Sequence, residues 1–435
     1  MSARVMTTRR DILKASVLLP SLAMIEPPLR VASAPRIIVV GAGAFGGWTA
    51  LALRSRGARV TLVEAWGPGN ARASSGGETR VIRATYGSRT VYTRLALRAL
   101  RLWTEYDKRW GRGFYRRTGA LWMIRETGGA TQADQPGGSR TDAPAAFARA
   151  SVAALRAVGL PIEELTPADA ARRFPQIAFG DVSSALWEPE AGYLFARRAC
   201  EHVVERFVAE GGTYQRAEVR TLDAIDGPLD HVVTSSGERI AGDVFVFACG
   251  PWLPAMFPNL LAGRITPTRQ EVYYFGTPPG DARFIDPGMP VWIDYGDRLM
   301  YGIPGNANRG FKVADDTPGP PIDPTTMARD ATPSGIAAAR TFVEARFPLL
   351  KGAPLLGSEV CQYEASPDSH YIIDRHPAAP NVWIAGGGSG HGFKMGPAIG
   401  EMLASLALGT ATPDPQFGLA RLAGRPVAGW EDKWS

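Results

Sequence analysis

Cysteine is scarce in this chain, three residues in 435, at positions 200, 249 and 361, so a disulfide framework does not organise it. Charged residues make up only 21% against 45% hydrophobic ones, which excludes a disordered polyelectrolyte and leaves material for a large core. The length suggests two or three domains. No cluster of Lys and Arg with interleaved aromatics occurs, so nucleic acid is not an expected partner despite a net charge of +6. Half of that excess sits in the first 34 residues, where Arg4, Arg9, Arg10, Lys14 and Arg30 face only Asp11 and Glu26. There is no internal repeat, and no metal site is expected.

What is present begins at the N-terminus. Thr8-Arg9-Arg10-Asp11-Ile12-Leu13-Lys14, an apolar stretch over residues 15–25 and the small-residue Ala32-Ser33-Ala34 resemble a twin-arginine export signal, assigned here to residues 1–34. The apolar stretch is shorter than the roughly 20 residues that span a bilayer, and Pro20 interrupts it. The resemblance implies export of a folded, cofactor-loaded protein by the twin-arginine machinery, a periplasmic location and no stable membrane anchor.

A β-α-β unit follows. Residues 37–40 form an apolar β-branched run, 45–56 carry a helical pattern and 60–63 form the next strand. Between the first two lies Gly41-Ala-Gly43-Ala-Phe-Gly46, and Glu64 closes the second strand. Gly41 permits the tight turn, Gly43 lets backbone approach a pyrophosphate, and Gly46 allows close helix–strand packing. The helix N-terminus then faces the anion. Glu64 suits an adenosine ribose and disfavours a 2′-phosphate, yet the motif alone does not separate NAD from FAD. Further on, helix is expected at 92–106 and from about 397, and strand at 239–248, 271–275, 291–295, 299–303 and 382–385; residues 126–144 and 315–325 read as loops.

Beyond Glu64, the segments WGPGNARASSGGETRVIRATYG, EPEAGYLFARRA, VFACGPWLP, Arg269-Gln270, CQYEASPDSHYIIDRHP and NVWIAGGGSGHGFKMGPAIGEML appear in order. Together they resemble the monomeric sarcosine oxidase and N-methyltryptophan oxidase family of amine-oxidising flavoproteins. The resemblance implies an α/β fold. A Rossmann-like FAD-binding domain (residues 36–90, 190–260 and 355–415) is interleaved with an α+β, mixed-sheet substrate domain (91–189 and 261–354). It implies FAD as cofactor, tethered through a thioether at Cys361, and oxidation of a secondary amine or N-methyl amino acid to an imine that water hydrolyses. Thr79, Gly388, Gly390, His391 and Gly392 match cofactor-binding positions, in addition to Gly41, Gly43, Gly46 and Glu64. Arg83 and Lys394 match positions that grip the substrate carboxylate, Lys394 also touching cofactor; Arg80 matches an arginine beside the flavin and Tyr363 an active-site tyrosine. An arginine fork and a lysine suit a carboxylate, and a pocket of three cations favours the free-base amine. Cys200 and Cys249 read as buried small hydrophobes, and Arg116, Arg117, Arg172 and Arg173 as solvated faces.

The pattern also departs from the family. The segment 274–290, where a lysine that helps activate oxygen is expected, contains none, and Arg283 is its nearest cation. A family histidine appears as Gly76 and a family tyrosine as Thr268. Electrons therefore pass either to oxygen, giving peroxide, or to another acceptor, as in a dehydrogenase; a protein that binds FAD or a ligand without turnover is the third alternative.

Overall fold

A computed structural model describes residues 34–126, 144–222 and 224–423. The export signal lies outside the described residues, as does nearly all of the loop expected at 126–144.

The β-α-β unit forms as the sequence predicts: β1 (Arg36–Val40), α1 (Ala44–Ser55) and β2 (Arg59–Glu64). β1 is central in a six-stranded sheet because it is apolar on both faces, with Ile37 to Val40 all buried. It pairs in parallel with β2 on one side and Val244–Phe247 on the other. Ala379–Gly386 and then the antiparallel Ile372–His376 extend one edge, and Thr213–Arg216 the other. Helix α1 lies against Gly396–Ala407, and Trp48 stacks on Trp110 and meets Trp103 edge to face.

The expected strand at 239–248 is two strands in different sheets, Arg239–Ala241 and Val244–Phe247. The break is steric and electrostatic. A Cβ at Gly242 would lie 2.6 Å from Ile38 Cγ1, and Asp243 turns back to accept from the Arg36 backbone and guanidinium at 2.8 Å.

An eight-stranded mixed sheet forms the second layer, in the order Leu355–Ala365, Thr266–Phe275, Phe311–Asp315, Leu299–Ile303, Val291–Tyr295, Ala120–Ile124, Ser184–Glu188, Glu163–Leu165. Helix Pro333–Arg346 covers one face, anchored where Arg346 Nε meets the buried Asp294 carboxylate at 2.7 Å. Arg125 holds the other oxygen of Asp294 at 2.7 Å. Leu355–Ala365 was expected in the nucleotide layer. It belongs instead to this sheet, because its whole length pairs antiparallel with Thr266–Phe275. That register sets Gln270 opposite Cys361 and Thr268 opposite Tyr363. A small sheet of Thr79–Ile82, Gly192–Phe195 and Tyr115–Arg116 lies between the layers in sequence and carries Arg80.

Candidate active site

The nucleotide loop has the geometry its glycines predict. Gly41 adopts φ +102°, and a Cβ there would sit 2.4 Å from Ala248 O. A Cβ on Gly46 would overlap Gly41 O at 1.9 Å, whereas Gly43 faces nothing nearer than Ser75 Oγ at 3.4 Å. Glu64 accepts from Ala42 N at 2.7 Å and Trp66 N at 3.0 Å. Burial raises its pKa above the ordinary carboxylate value.

From this loop a cleft runs past Glu64, Ser74, Arg80, Cys249, Gly250 and Glu364 to Gly388, Gly390 and Gly392. Arg80, Gly390 and Phe393 are shared with a second recess, lined by Arg83, Tyr301, Asp316, His391 and Lys394 as well. A long cofactor cleft thus opens into a small cationic chamber. Two cleft-wall atoms, Ser74 Oγ and Glu364 Oε2, are buried without a hydrogen-bond partner. Burial pushes the Glu364 carboxyl up to about 7, against the pull of the Gly387 and Gly388 backbone N–H groups. Orphaned polar atoms beside a glycine-lined wall, at the far end of a dinucleotide loop, fit the polar heterocycle of FAD.

Cys361 does not itself line the cleft or the recess but lies against Arg80, which belongs to both walls. Arg80 Nη2 donates to Cys361 Sγ at 3.3 Å and to Ser74 O at 2.5 Å, and Arg80 Nη1 donates to Thr79 O at 2.8 Å. A fixed positive charge therefore sits on the sulfur. At Cys200 and Cys249 burial raises the thiol, Cys200 to about 12. Thr79 contributes its carbonyl to Arg80, while its Oγ1 is buried without a partner.

In the recess, Arg83 is 3% exposed, donates to Thr85 O and lies 4.3 Å from the Tyr86 ring centroid and 5.1 Å from that of Trp122. Glu188 stands behind it, accepting from Ala84 N and Thr85 Oγ1. Lys394 Nζ donates to Tyr86 Oη at 3.0 Å and His391 O at 2.9 Å. His391 is held from its other side by Tyr371 Oη at 2.9 Å and Ser369 O at 3.0 Å. Tyr363 Oη donates to Asp316 Oδ1 at 2.8 Å. All four residues expected to be catalytic therefore line the cleft or the recess.

Four further residues were missed: Lys312, Asp316, Tyr301 and Glu364. The missing lysine is the main correction. Segment 274–290 has none, and Arg283 is an exposed partner of Asp281, yet Lys312 from the neighbouring strand is 2% exposed and donates to Thr79 O at 3.0 Å, beside Arg80. Burial, reinforced by the Arg80 charge, lowers its pKa to about 7. Gly76 is dictated by space: a Cβ there would lie 1.8 Å from Asn70 O, so no histidine fits. Thr268 is fully buried opposite Tyr363.

The surface expectation holds as well. Arg116, Arg117, Arg172 and Arg173 are exposed and pair with Asp286, Glu190, Asp169 and Glu163. No described helix is long and apolar enough to cross a membrane.

A dinucleotide loop, a polar cleft and a cationic recess define a flavin-dependent oxidoreductase, and residues 36–406 match the FAD dependent oxidoreductase family, to which this chain belongs. Within it, the monomeric sarcosine oxidase of Bacillus sp. (strain B-0618) is 32% identical over 377 residues, covering 86% of this chain and 92% of the relative. The N-methyl-L-tryptophan oxidase of Yersinia pestis (strain Pestoides F) is 27% identical over 391 residues, covering 88% and 98%. Among solved structures, L-proline dehydrogenase from P. horikoshii superposes with a TM-score of 0.74 at 22% identity over 90% of this chain and 98% of its own. Fructosamine oxidase (Amadoriase II) from Aspergillus fumigatus gives a TM-score of 0.74 at 19% identity, covering 93% of each chain.

Proposed function

We propose that this protein oxidises a secondary amino acid of the N-methylglycine type to an imine, that FAD is tethered at Cys361, and that oxygen is the electron acceptor. The observation that carries the reading is the meeting of Arg83 and Lys394 around Tyr86, in a recess that shares a wall with the cofactor cleft. Two cations converging on one chamber suit a substrate carboxylate, and anchoring that end orients the adjacent C–H bond. Bound FAD supplies the two-electron acceptor. The glycine-rich wall 386–392 would hold its ring, and the Arg80 guanidinium would offer positive charge to it as electron density accumulates.

Lys312 supports oxygen over another acceptor, since the family resemblance assigns that role to a lysine near the ring, and the sarcosine and N-methyl-L-tryptophan relatives named above are oxidases. The Arg80 guanidinium on the Cys361 sulfur supports the tether. The twin-arginine pattern supports export to the periplasm with the flavin already loaded. Oxygen consumption and peroxide release with sarcosine, other N-methyl amino acids and pipecolate form the test. Peroxide in step with amine loss is the expected result; flavin reduction without peroxide would assign the electrons to another acceptor, and no reduction by any of them would remove the substrate class.

A further inference from the structure

The recess is not uniformly cationic. Among the described residues lining it, Asp316 is the one carboxylate, 6% exposed and set on the same walls as Arg80, Arg83 and Lys394. Its backbone is fixed by donation from Asp316 N to Leu299 O at 2.9 Å. Its side chain is fixed by Tyr363 Oη at 2.8 Å on Oδ1. Tyr363 thus orients this group, and Arg83 lies close enough to feel its charge.

Ligand chemistry gives the carboxylate a purpose. A secondary amine, like a lysine amine, is protonated at neutral pH, and an amino acid entering the recess therefore carries charges of both signs. Arg83 and Lys394 serve its carboxylate. Its ammonium, repelled by three fixed cations, has Asp316 to face. Leaving a charge of this kind without a counter-ion in a buried site is costly, so the carboxylate discriminates between ligands of one shape and different charge.

We propose that Asp316 is the counter-ion for the substrate ammonium, so that the recess selects zwitterionic amino acids over carboxylic acids of the same shape; this rests on the amine-oxidising reading above. Asp316 is thus a specificity-determining residue, and Tyr363 positions it.

The test uses the flavin-loaded protein and two ligands of equal shape: glycine betaine, which is permanently cationic at nitrogen, and 3,3-dimethylbutanoate, the carboxylate with a neutral carbon in place of that nitrogen. Binding is read from the perturbed flavin absorbance, in wild type and in Asp316→Asn, which retains an acceptor for Tyr363. Wild type is expected to hold betaine at least about tenfold more tightly, the value of one charged contact. Asp316→Asn should bring the ratio close to one, with 3,3-dimethylbutanoate bound no more weakly than before, and Asp316→Glu should restore part of the preference. An unchanged ratio in Asp316→Asn, or a wild type that prefers 3,3-dimethylbutanoate, overturns the proposal. So does failure of both ligands to bind while a secondary amine still bleaches the flavin. Failure of the amine-oxidising reading shows differently, as a bound flavin that no secondary amino acid reduces.

Discussion

Replacing Lys312 by methionine in FAD-free protein isolates the cost of burying an ammonium beside Arg80. In the unfolded chain this group titrates near its ordinary 10.5, and in the fold near 7. Above 10.5 it is neutral in both states and costs nothing; between 7 and 10.5 the unfolded chain holds a proton that the folded protein lacks. Wild-type stability therefore rises with pH across that window, and the penalty is largest at and below pH 7. A shift from 10.5 to about 7 corresponds to a penalty on the order of 5 kcal/mol at about 1.4 kcal/mol per pKa unit. Methionine removes it but also removes the bond to Thr79 O, worth about 1–3 kcal/mol. Lys312→Met should thus be more stable than wild type near pH 7 by on the order of 2 kcal/mol, an advantage that disappears and reverses toward pH 10. Urea denaturation of both apoproteins at three pH values measures the difference. A difference that stays constant with pH would refute the reasoning.

Four other outcomes are expected. Cys361→Ser should yield protein whose flavin is released on acid denaturation, while in wild type the flavin stays with the polypeptide in mass spectrometry. Arg83→Met or Lys394→Met should raise KM for a carboxylate-bearing amine by roughly 10- to 100-fold, the value of one charge-assisted bond, with FAD content unchanged. Gly46→Ala should abolish FAD retention, because its Cβ would overlap Gly41 O at 1.9 Å; normal flavin content in soluble variant protein would contradict this. Asp294→Ala removes the fully buried carboxylate shared by Arg346 and Arg125, leaving both with the more exposed Asp181, and should cost on the order of 3 kcal/mol of stability, seen as a lower melting temperature.

The nucleotide end of the molecule was legible because its chemistry is local. The turn glycines, the helix and the acid at the end of β2 lie within thirty residues of one another, and each is required by backbone geometry at its own position. Cys361, Arg83 and Lys394 were singled out through motifs, not through physics, since nothing in their own sequence neighbourhoods specifies a ligand, and the fold brings Arg83 and Lys394 to one recess. The layer that carries Cys361 was misassigned because sequence proximity to the glycine-rich segment says nothing of strand pairing, and the pairing partner, Thr266–Phe275, lies about ninety residues earlier. Lys312 and Asp316 were invisible for a related reason. Phe311-Lys-Val-Ala-Asp315 reads as a plain strand, and only the antiparallel pairing with Thr266–Phe275 and Leu299–Ile303 carries its lysine to Thr79.

The central claim is that the cationic recess presents a carboxylated secondary amine to a flavin in the adjoining cleft. Adding sarcosine, N-methyl amino acids and pipecolate in turn to the yellow protein under nitrogen, while recording the visible spectrum, addresses it directly. At least one should bleach the oxidised-flavin band in equal molar proportion, and Arg83→Met should require far more substrate for the same change. A flavin that stays oxidised with every such amine, or an Arg83→Met protein that bleaches at the wild-type concentration, would contradict the claim.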